Sequence, residues 1–444
     1  RIVHIAATLT HRHDMPILKA FTMTSHKGGT GKTTSSFQAS CALAQDSPQQ
    51  NVLLVDLSFQ VDVSGTVLSQ AAYRSRGAVD GATVAAGYAS LQQGTTVDIS
   101  IPPAQLPLGA QEQPANPVPK TLGGYFMARN EQMNGSQVRR PAGDEFLVQV
   151  SAHNSHAPSN LYLAVGDTML EHLMPALEQR RVAHGAMGNP WRNVTVMLKE
   201  MIDEITQQGN WWVIIDTDPS FNLYTQMAVT AAPNLILLLT PDDYSRHAMN
   251  AAFELVFGVQ SANHLYTSYI QHYSYHARAT ALGMQLPKIH LLLCNRLTQY
   301  DSTTAQSFDQ LCLKAEKEMH EMFLQHPDAF TYNAAAAGNP QLRVFRDPYV
   351  HRLHDLHKVS FASAHTGRPV TNLGSTFSIE PAGKKIRLDS EQVAQYGKQI
   401  KSLVAKMKAG SFVAPAGPAA PALMPPGPAP GAAGAAPGAA GVAA

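Results

Sequence analysis

Short apolar runs alternate with amphipathic stretches along most of the chain. Asn51–Asp56 (NVLLVD), Trp211–Asp216 (WWVIID), Asn234–Thr240 (NLILLLT) and Lys288–Asn295 (KIHLLLCN) are apolar at consecutive positions rather than at every second one. That is the pattern of strands buried on both faces. Ile17–Thr24 reads as a shorter strand feeding a glycine-rich turn, with a helix from about Thr33 to Ala44. Val194–Thr206 and Ser245–Val256 repeat apolar residues at helical spacing, and Asn160–Leu173 reads as strand, turn and helix. Buried strands alternating with amphipathic helices predict an α/β fold with a doubly wound, mostly parallel sheet. Ligands in such sheets gather beyond the carboxyl ends of the strands, where Asp56, Asp216 and Asn295 fall.

The interval from Asp56 to Asp216 far exceeds the ~30 residues that a βαβ unit requires. Its excess, residues 70–158, is rich in Gly, Ala, Gln and Pro and is expected to be an insertion, at least partly mobile. The core domain is then 15–69 together with 159–408. Residues 1–14 precede Met15 and are expected to be an N-terminal extension that is not native. Asp389–Lys408 predicts an amphipathic helix with Val393, Tyr396, Ile400, Leu403 and Met407 on its apolar stripe. Residues 409–444 form an Ala/Pro/Gly tail expected to be disordered.

Composition narrows the function only a little. In 444 residues, 33 Lys and Arg balance 32 Asp and Glu, so any nucleic-acid or membrane surface must come from local clustering. Three scattered cysteines (Cys41, Cys294, Cys312) make neither a disulfide framework nor a CxxC metal site, and a reducing cytoplasm is expected. No apolar run reaches the length of a membrane span.

The strongest chemical signal is Ser25–Thr34, SHKGGTGKTT. Gly28, Gly29 and Gly31 allow backbone amides to curl around a phosphate at a helix N-terminus. Lys32 is placed for the β- and γ-phosphates, and the Thr33 hydroxyl for Mg²⁺. Yet the first glycine of G-x-x-x-x-G-K-[ST] is replaced by His26, and a second lysine, Lys27, follows it.

Lys27–Thr34 (KGGTGKTT) resembles the deviant Walker A motif of the ParA/MinD family of P-loop ATPases. The likeness continues in order through NVLLVDLSFQ, WWVIIDTDPS, NLILLLTPDD and LLLCNRL, covering about 15–68 and 159–408. The resemblance implies ATP and Mg²⁺ as cofactors, a loop of Lys27, Gly28, Gly29, Thr30, Gly31, Lys32, Thr33 and Thr34, and a homodimer in the ATP state. It implies that Lys27 reaches the partner's nucleotide and that Asp56 positions the attacking water. It also implies that Asp216 holds Mg²⁺ through water and that Asn295 contacts adenine. Two departures stand out. The family's D-x-D-P-Q reads Asp56-Leu57-Ser58-Phe59-Gln60, and the P-P after the Walker B acid reads Asp218-Pro219. Asn295-Arg296-Leu297-Thr298 is not the N-K-x-D that reads guanine, which favours ATP over GTP.

Lys384, Lys385, Arg387, Lys398 and Lys401 could form a phosphate-tracking patch. The resemblance turns that patch into an expected surface for non-specific DNA. The expected function is ParA-like: ATP-driven dimerisation, nucleoid association in the cytoplasm, and release when a ParB-like or other partner stimulates hydrolysis that is weak alone. DNA partition, plasmid or chromosomal, or cargo positioning would follow. A MinD-like membrane-cycling ATPase is the alternative, disfavoured by a modest apolar stripe on 389–408. A metabolite ligase or synthetase of the same P-loop fold also remains. An iron–sulfur relative lacks the cysteines. Asp347-Pro348 is expected to start a helix, with Val344–Arg346 near the adenine. His351, His354 and His357 are expected on a polar helix face rather than around a metal.

Overall fold

A computed structural model describes residues 19–68, 96–102, 105, 116–183, 188–207, 209–259, 264–297, 299–300, 303–304, 306–331, 338–373, 378–379 and 386–409. The expected N-terminal extension 1–14, most of the first half of the 70–158 stretch, Lys384, Lys385 and nearly all of the 409–444 tail lie outside these residues.

Among the described residues the main sheet has eight strands: β1 (Lys19–Thr24), β2 (Asn51–Asp56), β3 (Leu147–Gln149), β4 (Leu161–Ala164), β5 (Trp211–Asp216), β6 (Asn234–Leu239), β7 (Lys288–Leu297) and β8 (Val350–His354). Their order is β8-β7-β6-β1-β5-β2-β4-β3, and every neighbouring pair is parallel except β3–β4. The predicted doubly wound, mostly parallel sheet is therefore the observed one.

Consecutive apolar residues are needed because both faces of the sheet are covered. Leu53, Val55, Val213 and Ile215 pack on one side with α2 (Leu122–Met133), α4 (Met197–Thr206) and α5 (Leu223–Ala231). Val52, Leu54, Trp212 and Ile214 pack on the other with α1 (Lys32–Asp46) and α10 (Ser390–Lys408). Between α2 and α4 in sequence lies α3 (Met169–Arg181), which follows β4 as the strand–turn–helix reading requires. A third cluster joins β6 and β7 to α6 (Asp243–Phe257), α7 (Gln306–Gln325) and α8 (Leu342–Tyr349).

The 70–158 stretch needs correcting where it is described. β3 pairs antiparallel with β4 as an edge strand, and Tyr125 and Phe126 of α2 are fully buried in the main core. The expected boundary at 158/159 thus falls between two strands that hydrogen-bond to each other. The Pro- and Gly-rich composition concealed short elements that are stabilised by packing on the parent fold rather than by their own periodicity.

Two further expectations fail at the other edge. Pro348 does not open a helix; it sits in the last turn of α8, where Lys406 Nζ caps the exposed carbonyls of Asp347 (2.6 Å) and Val350 (2.7 Å). His351 and His354 lie on β8, not on a helix, and His357 is the first residue of α9 (His357–Thr366). Edge strand β8 lacks an apolar run, and two of its polar side chains, Arg352 and His354, are satisfied by neighbouring helices. Arg352 pairs with Glu316 (2.7 Å) and Asp309 (2.5 Å) of α7, and His354 Nδ1 meets Gln399 Nε2 of α10 at 2.7 Å.

Candidate nucleotide site

β1 is central, and its carboxyl end opens into the loop 25–31 before α1 begins. Gly31 caps α1 in a left-handed conformation (φ 84°). A side chain there would also overlap Asn295, whose Nδ2 donates to Thr30 O at 2.8 Å. Arg296, itself left-handed at φ 60°, donates from Nη1 to Gly29 O at 2.9 Å. The carboxyl end of β7 therefore braces the loop from behind.

The loop forms one wall of a cavity of about 580 Å³, a size suited to a nucleotide. Gly28 to Ser35 line it, with Ser58, Gln60 and Asp62, the segment Thr217–Pro219, and Asn295 with Arg296. Leu353, Asp355, Leu356, His357, Ser360 and Phe361 line it from the other side, with Gln38 and Ile400. Val344–Arg346, expected near the adenine, are not among the lining residues. The chain enters the cavity one element later, at the end of β8 and the start of α9.

Asp216 lies at the carboxyl end of β5 and is fully buried. Its Oδ2 accepts from Thr33 Oγ1 (2.9 Å) and its Oδ1 from Ser36 Oγ (2.8 Å), both on the first turns of α1. Burial pushes its carboxyl up to about 6, opposed by those hydroxyls and by the Lys32 charge. Lys32 is itself nearly buried, and its ammonium makes one long bond to Lys27 O at 3.4 Å. Desolvation lowers its pKa, while Asp216, Asp218 and Asp62 pull the other way. A buried cation beside a hydroxyl and a carboxylate, in a glycine-rich loop at the head of α1, fits a triphosphate, and the oxygen donors fit Mg²⁺.

Asp56 ends β2, beside β5 in the sheet. It is fully buried and is not among the cavity's lining residues. Its Oδ1 accepts from Ser58 N (3.0 Å) and its Oδ2 from Ser64 N (2.9 Å), so both oxygens hold together the loop after β2. Asp56 and Asp216 face each other across neighbouring strands at the same register. Burial and the Asp216 charge raise its carboxyl to about 7.

A raised folded-state pKa favours the protonated form. Asp56 therefore contributes stability below the unfolded value of about 4 that is lost as pH rises towards 7. In chemical denaturation, the stability of Asp56→Asn relative to the unsubstituted protein should improve over that window by on the order of a few kcal/mol. A gap that stays constant with pH would show Asp56 ionised throughout.

Lys27 is turned out of its own cavity. Its Nζ pairs with Asp242 Oδ2 (2.5 Å) and lies 3.3 Å from Thr240 Oγ1, beyond the end of β6. Asp242 also caps α6 through Ser245 N at 2.8 Å. Burial works against the Asp242 carboxylate, but the Lys27, Thr240 and Ser245 hydrogen bonds outweigh it and bring it to about 2. His26 packs against Phe221 with ring centroids 5.3 Å apart; burial and the Lys32 charge lower it to about 4, so it is neutral.

Of the expected basic patch, Arg387, Lys398 and Lys401 are exposed. The stripe predicted for 389–408 is buried, with Ile400, Leu403 and Met407 fully enclosed against α1 and the sheet. No helix among the described residues is long and apolar enough to cross a membrane.

Sequence reasoning missed Asp62, Asp355, Phe361 and Asp242. Asp242 was visible as the acid after NLILLLT, at a strand's carboxyl end. The others carried no motif.

No protein-family model matches the chain, and no curated protein matches it. Among solved structures it is similar to Cyanothece McdA in complex with ATP, at 13% identity over 90% of this chain and 100% of that one, with a TM-score of 0.50. It is also similar to a putative plasmid partition protein from Borrelia burgdorferi bound to AMPPNP (13% identity, 88% and 99% covered, TM-score 0.43). A third is pnob8 ParA (12% identity, 88% and 99% covered, TM-score 0.44). At these identities the likeness is one of fold, and it coincides with the two-lysine loop. The chain shares its fold with Cyanothece McdA.

Proposed function

We propose that the protein is a ParA-like positioning ATPase that binds ATP with Mg²⁺, dimerises around it and is reset by hydrolysis to ADP and phosphate. The observation that carries this reading is the placement of the two lysines. Lys32 serves the cavity of its own chain, whereas Lys27 stands outside that cavity on a partly exposed ion pair with Asp242. Exposed ion pairs contribute about 0–1 kcal/mol. Lys27 is therefore cheap to release towards a nucleotide held by a second copy.

In this reading the Gly28–Thr34 backbone cradles the phosphates and Asn295 with Arg296 keeps the loop in shape. Thr33 and, through water, Asp216 would hold Mg²⁺, which neutralises charge developing on the phosphate oxygens. Phosphoryl transfer demands little covalent help from the protein, so placement and charge dominate. A lysine contributed across a dimer would tie turnover to assembly.

Non-specific DNA binding in the dimer is assigned to Arg387, Lys398 and Lys401, with Lys384 and Lys385 beside them in sequence. Nucleoid association and release by a ParB-like or other stimulating partner complete the cycle. The MinD-like alternative needs a free apolar helix face, and the stripe of α10 is already packed against α1. Co-sedimentation with DNA and with anionic liposomes, each with ATP or ADP, tests the choice. DNA binding that requires ATP is expected, and lipid binding without DNA binding would reverse it.

A further inference from the structure

The reading as an ATPase leaves a gap. The acid expected to orient the attacking water, Asp56, is enclosed in its own loop, and the next acidic position of the motif is Ser58. The same loop carries a carboxylate that does reach the cavity. We propose that Asp62 is the water-orienting carboxylate of this enzyme, a role that rests on the ATPase reading.

Three observations support it. Asp62 lines the cavity together with Ser58 and Gln60 and lies close enough to Lys32 for each to shift the other's titration. It is exposed at the head of a helix that begins at 62, and among the described residues none hydrogen-bonds its carboxylate. Asp218, the other new acid in the wall, is almost fully buried and engaged by Asn222 Nδ2 at 3.4 Å.

The loop is also built to hold Asp62 there. Val61 adopts φ 59°, a left-handed conformation that β-branched residues avoid. It is kept there by Val61 N donating to Ser58 O (3.1 Å) and Gly65 N donating to Val61 O (2.8 Å). Gln60 N donates to Ser58 Oγ (3.2 Å), and Asp56 gathers both ends of the turn. Such outliers persist where surrounding structure over-determines them, often at functional sites. Asp56 thus acts as the hub of the loop and Asp62 as its working end.

In the reaction, Asp62 accepts a hydrogen bond from a water placed in line with the γ-phosphorus. The water oxygen forms the new P–O bond, and the bond to the β–γ bridging oxygen breaks with its electron pair leaving on ADP. The water's proton passes to the released phosphate.

The test measures ATP affinity and single-turnover phosphate release for the full chain, Asp62→Asn and Asp218→Asn. Asp62→Asn should slow release at least 100-fold while its ATP dissociation constant stays within about threefold or tightens. Release by Asp62→Asn within threefold of the unsubstituted rate overturns the assignment. So does a matching loss of ATP binding, or a loss confined to Asp218→Asn. If the unsubstituted protein binds ATP but never releases phosphate, the ATPase reading falls first and this one with it.

Discussion

Lys32→Ala should bind ATP at least 100-fold more weakly than the unsubstituted protein and show no measurable turnover. A preorganised donor to a developing phosphate charge is worth a factor of about 10²–10³ when removed. Lys32 is also the nearly buried cation facing Asp216, Asp218 and Asp62 from the floor of the cavity. Thermal stability without nucleotide should change little, because the cost of burying the ammonium opposes its attraction to the three carboxylates. Isothermal titration with ATP and Mg²⁺, beside a melting curve, separates the two effects. Retained affinity in a folded variant would place the phosphates elsewhere.

Gly31→Ala should be the most damaging substitution for its size. A left-handed residue other than glycine costs roughly 1–2 kcal/mol. The added carbon must also displace Asn295 Nδ2 from its bond to Thr30 O, a further ~0.5–1.5 kcal/mol. The loop, the start of α1 and the end of β7 would be disturbed together. A drop in melting temperature with at least tenfold weaker ATP binding is expected. Gly28→Ala is the control for melting temperature alone, since nothing lies within 4 Å of a side chain at that position. Equal drops in melting temperature from both variants would refute the bracing role of Asn295.

The parallel sheet and the phosphate loop were legible because their signals are contiguous. Consecutive apolar residues mark β2, β5, β6 and β7, and one ten-residue stretch contains the whole loop. What escaped depends on tertiary satisfaction. β8 reads as VHRLH, and its charged and imidazole groups make sense only beside Glu316, Asp309 and Gln399. Misreading that strand hid Asp355 and Phe361, which follow it into the cavity. Asp56 was assigned by its place at a strand end, but that place does not say whether a carboxylate meets the ligand or its own loop. Ser58 and Ser64, four positions before and two after Asp62, hold the Asp56 carboxylate through backbone bonds that no periodicity reveals.

The central claim is that one lysine acts at home and the other on a second copy. Light scattering of the full chain and of Lys27→Ala, each with ATP and Mg²⁺ or with ADP, tests it most directly. The account predicts a dimer mass for the unsubstituted protein with ATP only, and a monomer for Lys27→Ala under both nucleotides although it still binds ATP. A Lys27→Ala protein that dimerises with ATP and hydrolyses it normally would contradict it.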